Sequence, residues 1–562
     1  MRRSARGRDL GVALAVLTLS ACSASSGGGG TPAPAPTPVP TPAPVPITVT
    51  ITGDAVRFAK QASFGPTLAL TTRIASTGTT AWIDEQLASA GSSYADLNAR
   101  AVPRNYCNLA SAPSNCLRDY FSSYPVALEF YAHAATGNDQ LRQRVAFALS
   151  QLIVASDVEV HSTAGLAVFN QLLLDNAFGN YRTLLRAVTV NAYMGDFLDV
   201  VDSQKAAPNE NYAREFMQLF AMGVSALNAD GTVRTDASGA AVANFTADDV
   251  HNVARALTGW IYTRFAGASA TDYNQVDYTK PMTPISAQYD ATAKTFLGVT
   301  VHAGASPDAS IDGVVDAVFN NASAPPFVSR SLIRQLVTSN PSAAYVGRIT
   351  AVFSNNGSGT RGDLKAVVRA ILTDPEARGD AKSGARDGKV KEPVLFALSV
   401  ARLIGITTDG HAFTTRDAGL GQAPFRAPSV FNFYPPDYPL PLGGDLVSPP
   451  TKLLTAASVY ARHNFAYDWT IGADTRPEWA ALASLTGATG TAANWSEWEA
   501  LTDPNALVDR IDLLLLNRTM TAAQRTTLLA AVTAADPATQ ARKRAQTALY
   551  IVATLPQFQV DR

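Results

Sequence analysis

The chain has 562 residues, a formal net charge of −1 and three cysteines. A near-neutral chain with no basic stripe is a poor match for nucleic acid, whose phosphates are met by clustered Lys and Arg. Charged residues make up 16% of the chain against a typical figure of about 25%, and apolar ones 47%, so clustered charges stand out from a surface of small and neutral side chains.

Arg2, Arg3, Arg6 and Arg8 precede an apolar run from Val12 to Leu19. That order predicts an export signal over residues 1–21 and no membrane-spanning helix. Leu19-Ser20-Ala21-Cys22 resembles a bacterial lipobox, which implies cleavage before Cys22 and acylation of its thiol. Ser23 directly behind it implies, by the same resemblance, sorting to the outer membrane, with the body facing the periplasm or the cell surface. Residues 22–46 are a Gly/Ser patch followed by Pro-Ala and Pro-Thr repeats, a composition that cannot bury a core and reads as a disordered tether. Residues 47–562 are expected to form one large α-helical domain with long irregular loops.

Cys107 and Cys116 flank eight intervening residues of a Pro/Ser/Asn-rich loop. In an oxidising compartment they would form a small-loop disulfide; two free thiols and a labile bridge are the competing readings. Helical patterns run over 54–67, 82–87, 138–155, 169–190 with a break at Gly179-Asn180, and 191–202. Next comes Pro208 to Gly223, PNENYAREFMQLFAMG, where several ionisable groups sit inside a greasy helix. Asn209 is placed to cap it and Gly223 to stop it. At about 100° per residue, Tyr212, Phe216, Leu219 and Phe220 share one face, and Glu210, Asn211, Arg214, Glu215 and Gln218 the other. Glu210 and Arg214 read either as an internal salt bridge or as part of a pocket wall, with Glu215 free for acid or base work.

Thr246 with Asp249 spells a capping box, and Phe245 with Val250 a hydrophobic staple. On the helix they start, Asp248, His251 and Arg255 form a polar stripe that ends near Trp260. Residues 262–310 show little helical period and are expected to hold loops, with a hairpin near 294–302; a segment of that length is a lid or a peripheral insertion. Helices resume at 311–320, 327–338, 342–355, 363–372 and 392–404, and again at 505–517, 520–533 and 538–554. Gly357 and Gly362 have the spacing of a phosphate loop, but Asp363 stands where Lys is required. In GQAPFRAPSVFNFYPPDY, residues 421–438, Phe425, Arg426, Asn432 and Tyr434 combine rings with a guanidinium and an amide. That is the composition of a stacking site, and equally of a loop plugging a helical core.

Several phrases together, among them RQRVAFALSQLIVAS, PNENYAREFMQLFAMG, DDVHNVARALTGW and LGQAPFRAPSVFNFYPPDYP, resemble the bacterial domain of unknown function 1800 family across most of residues 50–560. The resemblance implies an exported, predominantly helical protein and supplies no activity. It also implies an exported partner, the sulfatase-like family of unknown function numbered 1501, whose genes often lie beside it. Many relatives carry a Trp-His phrase where this chain has Val145-Ala146-Phe147-Ala148, and others a His-Asp pair where it has Gln288-Tyr289-Asp290. If those histidines bind metal in relatives, this chain lacks part of the set.

The six histidines, at 133, 161, 251, 302, 411 and 463, show no i, i+4 pairing, so the sequence gives no positive sign of a metal site, and no Gly-x-Ser-x-Gly elbow is present. Three readings of function remain. The first is a lipid-anchored envelope scaffold or binding protein. The second is a hydrolase or lyase using two carboxylates among Glu210, Glu215, Asp248 and Asp249, with Arg214 or Arg426 holding an anion. The third is a metal-dependent enzyme using Glu215 and His251.

Overall fold

The computed structural model describes residues 50–562 except 270 and 536. The export signal, Cys22 and the tether lie outside the described residues. What is described is mainly α, and its strands are short antiparallel pairs.

The helices exist because apolar residues recur at helical spacing and polar residues mark their ends. Leu364, Val367, Val368, Ile371 and Leu372 form one buried stripe, with Asp363 accepting a hydrogen bond from Ala366 N at the cap. Thr246 and Asp249 form the reciprocal capping box of the helix Ala247–Ala256. The break at Gly179-Asn180 separates Thr163–Asp175 from Tyr181–Thr189, and Asn180 caps the second. The hairpin pairs Lys294–Phe296 with Val299–Val301. Among the described residues, three helices of ten or more residues have no counterpart among the expected ones: Leu68–Thr77, Tyr124–Thr136 and Ala456–Trp469. In two of them the apolar stripe is blurred: Tyr124–Thr136 buries residues around most of its circumference, and Ala456–Trp469 carries Tyr460 and Tyr467 on its exposed side. No helix among the described residues is long and apolar enough to cross a membrane.

Two hydrophobic cores organise the packing. One is built from residues 55–377 and includes Tyr212, Phe216 and Phe220 of the central segment. The other gathers the C-terminal helices around Trp469, Phe396 and Phe413, and draws in Phe130 and Phe147 from the N-terminal half. Phe425 is half-buried against both. The chain end returns to pair Val560–Asp561 with Lys389–Val390, which fixes the segment leading into the helix Pro393–Leu403.

The central segment departs from the expected helix. An α-helical turn spans Asn211–Glu215, and Phe216–Ala221 is wound as a π-helix, with Met222 N donating to the Met217 carbonyl five residues back. The wider winding replaces the 100° period. Glu215, expected on the polar face, is buried, and Leu219, expected on the apolar one, is half-exposed. Asn209 accepts from Asn211 N at 2.9 Å, and Gly223 ends the segment in the left-handed region at φ 78°.

Candidate functional site

Of the residues expected to form a site around the central stripe, Glu210, Arg214 and His251 come together, and they do so on the surface. Glu210 and Arg214 are a surface pair at 3.2 Å, not an internal bridge. His251 Nδ1 lies 3.3 Å from Glu210 on the same exposed patch. Asp248 is exposed. Asp249 is absorbed in structure: burial pushes its carboxyl up, but hydrogen bonds from Leu297 N and from Thr246 outweigh that and hold it below the ordinary range. Glu215 is buried, its Oε2 has no hydrogen-bond partner among the described residues, and desolvation raises its pKa against the pull of Arg214. Among the described residues no group of three or more His, Cys, Asp or Glu side chains is placed to hold a metal ion.

The aromatic loop divides. Phe425, at φ 64°, turns its ring edge-on to Phe130 at 5.6 Å and acts as a plug between the cores, while its carbonyl accepts from Asp157 N. Arg426 is 54% exposed beside Asp157 at 3.8 Å. Trp260 is buried in a strand pair with Thr283–Pro284. Cys107 and Cys116 are joined in a disulfide, and Arg104, close by, reaches Asp196 and the Tyr262 and Tyr278 hydroxyls, docking that loop on the 262–278 segment.

Asn432 and Tyr434, by contrast, line a cleft of about 500 Å³. Its walls come from distant parts of the chain. The π-turn supplies Gln218 and Leu219, followed by Met222, and the helix Gln140–Leu152 supplies Gln151 and Leu152. The helix Ala324–Leu336 contributes Phe327, Arg330, Arg334 and Gln335. Lys389 and Glu392 come from the strand and cap before the helix Pro393–Leu403, and the loop from Val430 to Asp437 faces them. Asn432, in the left-handed region at φ 63°, ties this loop to the early helix by donating to Gln151 Oε1 at 2.5 Å.

The polar groups of the cleft are unusual for so apolar a chain. Arg330 donates to the Gly231 carbonyl at 2.9 Å and Arg334 to the Pro436 carbonyl at 3.2 Å. Among the described residues neither is in a salt bridge, and Arg334 Nε has no partner. Burial lowers both guanidinium pKa values, that of Arg334 to about 10, with Arg330 adding to the effect and Asp437 opposing it. Glu392, 1% exposed, accepts from Gln422, which also caps the helix through Val394 N. The Tyr434 ring is buried beside Glu392, Gln335 and Arg144; burial drives its pKa well up, and its hydroxyl completes no well-formed hydrogen bond among the described residues.

Sequence reasoning missed Arg330, Arg334, Lys389 and Glu392. A signal existed: no Asp or Glu falls within the helix Ala324–Leu336 to partner its two arginines, and Lys389-Val390-Lys391-Glu392 is dense in charge for this chain. Fold and cleft together define a mainly helical protein with a cleft of mixed apolar and cationic lining. Residues 57–560 match the family described as "Protein of unknown function (DUF1800)", and the chain belongs to that family. No curated protein and no solved structure matches it.

Proposed function

We propose that the protein is a ligand-binding protein of the bacterial cell envelope, anchored through an acylated Cys22, with its ligand seated in the cleft between the π-turn and the 430–437 loop. The observation that supports this reading is the cleft itself. A volume of about 500 Å³ is of the size that accepts a small molecule or a short polymer segment, and its wall combines ring faces with a few oriented polar groups. Phe431 stands 46% exposed at it, the position of a stacking surface. A hydrolase or lyase would have to draw its two carboxylates from Glu392 and Asp437, the ones that line the cleft.

The test is a thermal-shift screen of the anchored protein's soluble body against envelope glycans, their monosaccharides and short peptides, repeated with Phe431→Ala. A stabilising compound whose effect is lost in the variant supports the reading; a full screen without one, or hits indifferent to Phe431, sinks it. The anchor is tested separately by radiolabelled palmitate, which Cys22→Ala should fail to take up. An exported sulfatase-like partner of the 1501 family is part of the same reading, and should co-purify with the anchored protein through the cleft face, with the contact weakened by Phe431→Ala.

A further inference from the structure

The inner side of the cleft carries more positive charge than the protein balances. Arg330 and Arg334, one helical turn apart, are satisfied among the described residues only by backbone carbonyls. Lys389 is 5% exposed and donates to the Gln335 carbonyl at 2.5 Å, without a salt bridge. Behind it Arg144, fully buried, donates to the same carbonyl and leaves Nε and Nη1 without partners among the described residues. Glu392 and Asp437 are the carboxylates of the lining, and Glu392 already accepts from Gln422. Arg144 and Lys389 are buried and Arg330 and Arg334 half-buried, and unpaired cations withdrawn from water in this way are destabilising unless something of opposite charge meets them. The Tyr434 hydroxyl, on a side chain 5% exposed, is a second and independent sign: a buried donor in the cleft wall that lies beside Glu392 and Gln335 but completes no well-formed hydrogen bond among the described residues.

We infer that this end of the cleft is an oxyanion site, which holds a phosphate, sulfate or carboxylate group of the ligand between the Arg334 guanidinium, the Lys389 ammonium and the Tyr434 hydroxyl. Arg330 adds longer-range attraction. Guanidinium, ammonium and hydroxyl donors together suit the three or more acceptor oxygens of a phosphate or sulfate, and also the two of a carboxylate. The apolar remainder of the ligand would lie along Leu219, Phe327 and Phe431. This inference deepens the binding reading and depends on it.

Lys389 also sets a pH dependence. Burial, then the nearby Arg144, lower its pKa to about 7; Glu392 and Asp561 oppose this and Lys391 adds to it. A bound anion favours the ammonium, so affinity should fall as pH rises past 7. Sulfate is the probe of choice there because its own charge does not change in that range.

The experiment is isothermal titration of the soluble body at low ionic strength with sulfate, inorganic phosphate and glucuronate. One-site binding is expected, weakened at least about tenfold by Arg334→Gln, the loss of one charge-assisted donor. For sulfate, the wild type should bind more weakly at pH 8.5 than at pH 6.5, and Lys389→Met should remove most of that difference. Preference for sulfate and phosphate over glucuronate identifies an ester-bearing ligand, and the reverse order a uronate or other carboxylate. Absence of saturable binding by all three anions, or binding unchanged in Arg334→Gln, overturns the site. Should Lys389→Met fail to fold, a pH-independent wild-type affinity for sulfate overturns the role of Lys389 by itself. Neutral compounds that still bind in a Phe431-dependent way while the anions do not would remove the oxyanion site and leave the binding reading standing; loss of both removes both.

Discussion

Arg144 and Lys389 donate to one acceptor, the carbonyl oxygen of Gln335, each at 2.5 Å. Two cations sharing an uncharged oxygen repel each other at close range in a medium that screens poorly. The arrangement holds because both sit on well-packed elements, Arg144 on the helix Gln140–Leu152 and Lys389 on a strand pinned by the chain end. Lys389 gives way electrostatically, with its pKa lowered to about 7 by burial and by Arg144.

That relationship predicts a pH profile for stability. In the unfolded chain Lys389 titrates at its ordinary value, near 10.4. Between about 7 and 10 the unfolded state therefore binds more protons than the folded one, and stability rises with pH, by up to about 1.4 kcal/mol per pH unit. Below pH 7 both states are protonated and the full penalty is present. Lys60, also lowered to about 7 by burial and by Lys391, acts in the same direction. Urea unfolding at pH 7 and pH 9 should show a smaller rise for Lys389→Met than for the wild type; equal rises would mean that Lys389 keeps its proton at neutral pH.

Glu215 supplies a prediction of opposite slope. Its carboxyl is buried, unpartnered at Oε2 and raised in pKa by desolvation, so its ionised form is disfavoured in the fold. Stability from this group is highest when it is protonated and is lost as pH rises through the folded pKa. Glu215→Gln should raise the melting temperature at pH 8 and make little difference at pH 4.5. A loss at pH 8 would show that the carboxylate has a partner the fold depends on.

The capped helix gives a prediction available from sequence and structure alike. Thr246 Oγ1 accepts from Asp249 N at 3.1 Å, and Asp249 accepts from Thr246 N at 2.8 Å. Thr246→Ala should cost about 0.5–2 kcal/mol in urea unfolding. No change would mean that Asp249, also held by Leu297 N at 2.7 Å, fixes the helix start without it.

Caps, the break at Asn180, the 294–302 hairpin and most helices were legible because each rests on a local rule: a side chain that caps, a glycine that turns, an apolar stripe of one period. The cleft was only half legible. Asn432 and Tyr434 lie in a short phrase whose rings and prolines draw the eye. Arg330, Arg334, Lys389 and Glu392 become neighbours of that phrase through tertiary packing, which local periodicity does not encode. The polar stripe of the central helix misled for a different reason. Charged residues on a helix that starts at a surface mark where water is, and Glu210, Arg214 and His251 form an exposed ion-pair patch worth little in stability.

The π-turn was illegible in the sequence and has the sharpest consequence for the site. PNENYAREFMQLFAMG reads as a plain helix, and nothing in Phe216–Ala221 resembles a breaker. Wide turns of this kind recur at functional sites, because one additional residue is accommodated and the side chains after it are re-aimed. Here it is Gln218, Leu219 and Met222 that face the cleft, while Phe216, Met217 and Phe220 remain fully buried. Deleting Gln218 should let the segment wind as an ordinary α-helix, joining Met222 and Gly223 to the last turn and rotating Leu219 away from the ligand. Circular dichroism should then show helicity unchanged or slightly raised, the melting temperature should fall by no more than a few degrees, and ligand or sulfate binding should be lost. Binding at wild-type strength in a folded deletion variant would show that the wide turn is a packing accident of the first core and has no part in shaping the cleft.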